Sequence, residues 1–554
     1  MSAHSAPQPP AAQRKSAHGA GGPLLAGVDV GSSRCKALLC TTDGAVLARA
    51  RRATPYTADG LAHDPDELTA AALGALADCV RLAGRAPDAV GLTGMAETGV
   101  PLDRRLRALG PVLTWADPAP AEHAERLRRT LGGAALHART GVLPSAKVPL
   151  ARWCWLRERH PQRLARMRVW AGAADLVACA LTGRVATDAT FAQRTQAWCT
   201  PKSPGEPGRW SGELLAEAGL TPAQLPPVRA PGEPVGAITR AAAGSWGLRA
   251  GAPVVVAGHD HLVGAWAAGA RTPGRAADSM GTAEAVLTVC AEPPALAPAA
   301  REGMSWGRHV DGEHWCTIAG MSGSGALVEW FCERFLPAGG RAPSGDGGGT
   351  GDGDSGGDER YRAFARLVAA PGGEEPGAAG APPAVAQVPP PTGITVLPYP
   401  YGRSSPRPYR AARLAFHGVE LRHGPRDFAR ALLEGAAYHA RWMAEVQGEL
   451  TGREPEAVTL LGGSTRQHTW TALKAAVAPW PTGLCAEPEA PGLGAAAFAG
   501  AALGLGPDAV AARVRTLTAG PDDAAAAHRT GYAERFLPLV RAERPADSGT
   551  YAES

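Results

Sequence analysis

Paired cysteines are missing from this sequence, although it contains ten cysteine residues. No two of them form a CxxC pair, and they are scattered through apolar segments, so neither a cysteine zinc site nor a disulfide framework is indicated. Buried free thiols are the simpler interpretation, and they fit a reducing compartment. The sequence therefore predicts a cytoplasmic protein.

Long apolar runs and concentrated charge are also lacking. No stretch of about 18 strongly apolar residues occurs, so no membrane-spanning helix is expected. The formal net charge is only +4 and the arginines are dispersed, so we expect no nucleic-acid partner. Residues 1–22 are polar, rich in Pro and Gly, and without the apolar core of a signal peptide, which predicts a disordered tail.

The chain does have the length and patterning of a multidomain α/β protein. Its 554 residues are too many for one hydrophobic core. Residues 24–30 and 89–95 are typical of buried strands, and residues 64–84 of a helix capped by an Asp, and such alternation continues along the chain. Two low-complexity stretches around a short helical segment (358–370) predict a flexible surface insertion over 338–393.

Three turns of small residues follow predicted strands. They lie at Gly31–Ser33, Gly281–Thr282 and Gly462–Ser464. The backbone N–H groups of such turns can bind phosphate, although each turn alone is a common connection between secondary-structure elements. Together they suggest a nucleotide held between two domains. A small-residue helix at 492–504 could serve either close packing or this nucleotide.

A polar triplet, His259-Asp260-His261, follows the apolar run "VVVAG". Consecutive side chains of this extended segment should alternate between opposite sides, so the three residues cannot all face one metal ion. A single acid at a strand end suits a general base in a cleft. A helix-capping role for Asp260 is the competing interpretation.

The order of these segments resembles the FGGY family of carbohydrate kinases. The resemblance runs from about 24 to 506 and includes "GVDVGSSRCK", "GLTGMAETGVPLD", "VVVAGHDH", "SMGTAEAV", "LPYPYGRSSPRP" and "LLGGSTRQ". It implies an α/β, actin-like (RNase H-like) duplicated two-domain ATPase fold. The expected division is an N-terminal, sugar-binding domain over 23–270, a C-terminal, nucleotide-binding domain over 271–520, and a C-terminal helix and tail over 521–554.

The resemblance also implies roles for the nucleotide side of the site, with ATP and Mg²⁺ as cofactors. Asp260 matches the catalytic acid that accepts the proton of the attacking hydroxyl, and Asp29 matches the acid that holds Mg²⁺, which Asp260 would also approach. The expected nucleotide contacts are Ser32, Ser33, Lys36, Gly281, Thr282, Gly323, Gly462, Gly463, Ser464 and Gln467.

On the substrate side, the resemblance implies a pocket lined by Glu97, Trp115, Asp117 and His261. Each of the four also has a purely structural interpretation. Glu97 could be a surface turn residue and Trp115 a core residue. Asp117 could be a helix cap and His261 a solvent-facing turn residue. Ala96 stands where glycerol kinases carry Arg, and Leu143 lies near the position of their pocket Tyr. Glycerol is therefore disfavoured as the substrate.

The expected function is ATP-dependent phosphorylation of a hydroxyl on a small ketose, polyol or cyclitol. A non-catalytic actin-fold sensor is the alternative, and the presence of both Asp29 and Asp260 speaks against it. A third hypothesis is a phosphotransferase of the same superfamily that acts on a carboxylate or an amino sugar. The sequence leaves the oligomeric state open, with a homodimer as one candidate.

Overall fold

The computed structural model of the protein describes residues 22–203, 205–336, 355–369, 385–386, 388–506, 509–519 and 522–543. The expected disordered tail lies outside the described residues except for Gly22, and so does most of the 338–393 insertion. The helical segment expected within that insertion is present as a helix over Ser355–Val368.

The strands and helices alternate along most of the chain, as the sequence predicts. The strands are β1 (Leu24–Val30), β2 (Arg34–Thr41), β3 (Val46–Ala53), β4 (Ala62–His63), β5 (Ala89–Gly94), β6 (Gly99–Leu102), β7 (Val112–Leu113), β8 (Val169–Gly172), β9 (Thr187–Asp188), β10 (Trp198–Cys199), β11 (Arg209–Trp210), β12 (Val228–Arg229), β13 (Gly236–Ala237), β14 (Pro253–His259), β15 (Arg275–Met280), β16 (Glu284–Cys290), β17 (Ser305–Arg308), β18 (Trp315–Met321), β19 (Val385–Ala386), β20 (Thr395–Leu397), β21 (Ala415–His417), β22 (Ala457–Leu461), β23 (Thr482–Cys485) and β24 (Val514–Ala519).

The helices are α1 (Pro65–Ala83), α2 (Ala121–Leu131), α3 (Gly133–Thr140), α4 (Pro149–Arg159), α5 (Pro161–Arg166), α6 (Ala173–Thr182), α7 (Ala189–Arg194), α8 (Gly212–Glu217), α9 (Arg240–Trp246), α10 (Asp260–Ala267), α11 (Leu296–Arg301), α12 (Ser324–Phe335), α13 (Ser355–Val368), α14 (Pro425–Thr451), α15 (His468–Val477), α16 (Ala490–Ala501), α17 (Asp522–Gly531) and α18 (Leu537–Ala542). Helix α1 begins and ends where the sequence predicts. At its start, Asp64 accepts hydrogen bonds from the N–H groups of Asp66 and Glu67. At its end, Gly84 adopts the left-handed backbone conformation.

Two large sheets repeat one topology. In the first, in the order β13-β14-β5-β1-β2-β3, β1 pairs antiparallel with β2 and parallel with β5, which is parallel to β14. In the second, β15 pairs antiparallel with β16 and parallel with β22, which is parallel to β23. Each sheet therefore begins with a hairpin and continues with parallel strands, as a duplicated fold requires.

Helix α16 joins the two halves of the molecule, because it belongs to the second half of the chain yet packs under the first sheet. A Cβ added to Gly27 would lie 1.7 Å from the carbonyl oxygen of Gly492, and one added to Gly91 would lie 1.8 Å from that of Ala495. Only glycine permits so close an approach of backbones. These contacts support the close-packing interpretation of this small-residue helix, and a role of the helix near the nucleotide stays a prediction.

The described cysteines are all free thiols, and all but Cys199 are buried, which confirms the prediction of buried free thiols. Among the described helices, none has the length and apolarity needed to cross a membrane.

Candidate active site

One large cleft lies where the parallel strands of both sheets end, the usual place for a ligand in α/β proteins. Its volume is about 2730 Å³. Nearly all the predicted site residues line it, from both halves of the chain: Asp29, Ser32, Ser33, Lys36, Glu97, Trp115, Asp117, Asp260, His261, Gly281, Thr282, Gly462, Gly463, Ser464 and Gln467. Gly323 is the exception. A Cβ at Gly323 would lie 2.3 Å from the Pro400 ring, and its neighbours Ser322 and Gly325 line the cleft instead.

The position of Asp260 is fixed by the end of β14. The register of this strand shifts between Val256 and Gly258, and Gly258 adopts a φ of 120°. A Cβ on Gly258 would lie 2.7 Å from the Thr190 hydroxyl, so this position needs glycine. Thr190 accepts a hydrogen bond from the backbone N–H of His259 at 2.9 Å and is itself held by Asp188. The turn that presents Asp260 is therefore rigid.

The expectation that the triplet cannot face one ion was wrong. It assumed an extended segment, but β14 ends at His259 and α10 begins at Asp260, so strand alternation stops inside the triplet. One possible ligand atom from each of His259, Asp260 and His261 lies within 4.8 Å of the others. His261 also bonds through Nδ1 to the Ser279 hydroxyl at 3.0 Å.

Two carboxyl groups meet at the base of the cleft. Burial raises the pKa of Asp29 to about 7, opposed by the nearby Lys36 and reinforced by Asp260. Burial likewise raises the pKa of Asp260 to about 7, opposed by the N–H of His261, which donates to Oδ1 at 2.7 Å, and by Lys36. Oδ1 of Asp29 is buried and has no hydrogen-bond partner. An uncompensated buried carboxylate oxygen of this kind is suited to a hydrated divalent cation.

The first small-residue turn lies beside this carboxyl pair. Gly31, Ser32 and Ser33 connect β1 to β2, and Thr54 braces the turn by donating from its hydroxyl to the carbonyl of Gly31 at 2.7 Å. Lys36 forms an ion pair with Glu489 at 2.8 Å, and both side chains line the cleft. Lys36 thus carries positive charge to the point where phosphate is expected.

The second and third turns are packed against each other. Gly281 and Thr282 accept hydrogen bonds at 3.1 Å from the N–H groups of Gly325 and Ala326, at the start of α12. Gly462 has a φ of 97°, and a Cβ there would lie 2.7 Å from the carbonyl of Met280. The β15–β16 hairpin, the start of α12 and the turn after β22 therefore form one wall of the cleft.

The opposite end of the cleft contains an ion pair that the sequence did not reveal. Glu97 adopts a φ of 60° and accepts hydrogen bonds on Oε1 from Nε of Arg194 at 2.9 Å and from its Nη2. Arg194 also donates to the Ser305 hydroxyl at 3.0 Å, and buried Arg152 donates to the Glu97 carbonyl at 2.7 Å. Glu97 is thus not a surface turn residue. Arg194 is the last residue of the short helix α7. The only sequence signal for that helix is its capping residue Asp188, and this signal does not identify Arg194 as a site residue.

The other predicted pocket residues have partners too. The ammonium group of Lys147 lies 5.3 Å from the ring centre of Trp115. Asp117 is buried and accepts a hydrogen bond on Oδ1 from the N–H of Ala119 at 2.9 Å, which is the capping type of contact. Asp117 therefore combines a local structural contact with a place in the cleft wall, and the sequence left these two interpretations open.

Comparisons with known proteins bear on this arrangement. The N-terminal domain model of the FGGY family of carbohydrate kinases matches residues 24–267, and its C-terminal domain model matches residues 276–503. A xylulose kinase of Streptomyces rubiginosus is 32% identical over 277 residues, which cover 50% of this chain and 56% of that protein. The matched part thus spans little more than half of that relative.

Longer but weaker similarity covers most of the chain. A xylulose kinase of Escherichia coli strain K12 is 24% identical over 456 residues, covering 81% of this chain and 83% of that protein. The crystal structure of a xylulose kinase from Rhodospirillum rubrum superposes with a TM-score of 0.74 at 24% identity, covering 94% of this chain and 99% of that one. The expected two-domain actin-like ATPase fold is confirmed, and the chain belongs to the FGGY family of carbohydrate kinases.

Proposed function

We propose that the protein transfers the γ-phosphate of ATP to a hydroxyl of a small, uncharged polyhydroxy compound, a ketose, polyol or cyclitol, with Asp260 as the general base. The observation that carries this proposal is the position of Asp260. It lies in one cleft with three phosphate-type turns and with the Glu97–Arg194 pair, and its pKa is raised to about 7. A base with a pKa near the working pH is both deprotonated and able to take up a proton.

Each group of residues has a separate task in this mechanism. Lys36 and the backbone N–H groups of the turns hold the phosphates, so that positioning and electrostatics lower the barrier. Asp260 orients the substrate hydroxyl and accepts its proton as the phosphoryl group is transferred. Asp29, with its partnerless buried oxygen, and Asp260 are the residues that would hold Mg²⁺. When bound, that ion would neutralise charge on the phosphate oxygens.

The substrate class is inferred from the polar groups at the pocket end of the cleft. Glu97 can accept from sugar hydroxyls, and Arg194, its ion-pair partner, can donate to them. Ala96 and Leu143 provide no polar side chain where glycerol kinases have theirs, which supports a substrate other than glycerol. The similarity to xylulose kinases, among them those of Streptomyces rubiginosus and Escherichia coli, makes pentuloses the first compounds to test.

A substrate panel tests this proposal. ADP release is measured with ATP, Mg²⁺ and each of a series of ketoses, polyols and cyclitols, and the phosphorylated position is determined by NMR. We expect strong stimulation by one structural group of these compounds and weak or no stimulation by glycerol. If a sugar raises the melting temperature but no compound stimulates turnover, the non-catalytic sensor is the correct function instead.

A further inference from the structure

A buried ion cluster lies behind the nucleotide wall of the cleft. The ammonium group of Lys474 donates to Asp278 at 2.6 Å and to Glu284 at 2.7 Å. The three side chains are 3%, 4% and 0% exposed. The Ser324 hydroxyl donates to the other oxygen of Glu284. Of these four residues only Glu284 lines the cleft, so Lys474 can act on a bound nucleotide only through other groups.

The members of this cluster come from each element of the wall. Asp278 is on β15, and Glu284 is the first residue of β16, directly after the turn that contains Gly281 and Thr282. Ser324 begins α12, and Lys474 is on α15, the helix that follows the third turn. One ammonium group therefore connects both strands of the second turn to the helix of the third.

Backbone contacts make these elements sensitive to one another. The carbonyls of Gly281 and Thr282 accept from the first N–H groups of α12 at 3.1 Å. Gly462, in the third turn, packs against the Met280 carbonyl with no room for a Cβ. Because protein interiors are close-packed, a shift of α15 relative to the hairpin would move the N–H groups of both turns.

Stability alone does not explain such a cluster. Removing three charged groups from water is expensive, and apolar side chains of similar volume often stabilise a core at least as well. The charges are also unequal, since one ammonium group faces two carboxyl groups. Consistent with this imbalance, burial and the neighbouring Asp278 raise the pKa of Glu284 to about 7.

We propose that Lys474 is a positioning residue for the nucleotide. Through Asp278, Glu284 and Ser324 it holds the second and third phosphate turns in one fixed geometry without contacting the nucleotide. This inference rests on the proposed function, because it assumes that these turns bind ATP.

Nucleotide affinity is the measurement that tests this role. ADP binding is followed by calorimetry, and the KM values for ATP and for the sugar are determined separately. We expect Lys474→Met to weaken ADP binding and raise the KM for ATP by at least about tenfold, and Glu284→Gln to do so by about threefold, with the KM for sugar nearly unchanged.

Glu434→Gln is the matched control. Glu434 is a carboxylic acid of the same half of the chain, is equally buried, accepts from the N–H and hydroxyl of Thr392 at 3.1 and 3.0 Å, and also has a pKa raised to about 7 by burial. Its replacement should lower stability much as Glu284→Gln does, but leave ADP affinity unchanged.

The outcomes separate the two proposals. If Glu284→Gln and Lys474→Met lose stability but bind ADP as tightly as the wild type, the positioning role is wrong. If Lys474→Met does not fold, Glu284→Gln against Glu434→Gln decides alone. If the wild-type protein itself fails to bind ADP, the proposed function fails and the positioning role fails with it.

Discussion

The two β-hairpins that open the two sheets use their acidic residues in opposite ways. Both hairpins turn through three residues, 31–33 in the first and 281–283 in the second, and each has a parallel strand beside it. In the first, Asp29 faces the cleft, and one of its oxygens has no partner. In the second, Lys474 donates to both Asp278 and Glu284, although Oδ1 of Asp278 is also buried without a partner and Glu284 also lines the cleft.

The difference shows that equivalent hairpins of a duplicated fold can have different roles. An acid left without a partner in a buried site is costly to ionise, so it persists where chemistry or a cation uses it. An acid that bonds to a buried lysine is already compensated in charge, and the bond fixes the backbone around it. We therefore expect changes at Asp29 to alter catalysis, and changes at Asp278 or Glu284 to alter stability and nucleotide binding.

The largest expected effect is on turnover, in the variant Asp260→Asn. The amide cannot accept the proton of the attacking hydroxyl, and loss of a general base typically lowers kcat by about 10²–10⁴-fold. The calorimetric affinity for ADP should stay close to that of the wild type, because the three turns are unchanged. A variant that kept near wild-type turnover with its true substrate would remove Asp260 from the role of base.

The lysines beside the acids of the two hairpins, Lys36 on β2 and Lys474 on α15, provide the next contrast. Lys474→Met leaves two buried acids without their partner, and breaking a buried ion pair in this way typically costs about 3–5 kcal/mol in the free energy of unfolding. Lys36→Met should cost no more than about 1 kcal/mol, because its ion pair with Glu489 is partly open to solvent. Urea unfolding without nucleotide measures both. Equal losses in the free energy of unfolding of the two variants would contradict this difference between the two hairpins.

Glu97 provides an intermediate case, an acid that is paired yet still lies in the cleft. Glu97→Gln removes charge-assisted hydrogen bonds to Arg194 and to any sugar hydroxyl, so the KM for sugar should rise by at least about tenfold. The KM for ATP should hardly change, since the proposed contacts of Glu97 are to the sugar and not to the nucleotide. An unchanged response to sugar would take Glu97 out of the substrate pocket.

These contrasts also show what the sequence could predict. The turns, the strand ends and the α1 cap are local patterns, so the fold and most of the cleft lining could be predicted from spacing and family resemblance. Arg194, Ser279 and Lys474 contact site residues that are between 18 and 196 positions away in the chain. No local pattern marks such partners. The prediction for the triplet at 259–261 was wrong for a related reason. The boundary between strand and helix decides which way each of its side chains points, and no local pattern fixed that boundary.

The last contrast concerns pH dependence, where catalysis and stability should move in opposite directions. Burial raises the pKa of Asp29 and Asp260 to about 7 in the folded state, against an ordinary value of 3.8, so the folded protein binds more protons than the unfolded chain between these values. The free energy of unfolding should therefore fall as pH rises from about 4 through 7 on account of these two groups.

Turnover needs Asp260 deprotonated, so kcat/KM for the sugar should fall by about tenfold for each pH unit below 7. Lys36 opposes the raised pKa of both acids, so Lys36→Met should move the midpoint of this profile to higher pH. Steady-state rates between pH 5.5 and 8.5, with urea unfolding over the same range, check both trends. A rate profile that stays flat down to pH 5.5 would mean that Asp260 keeps an ordinary carboxyl pKa in the folded protein, and its burial would then not make it a stronger base.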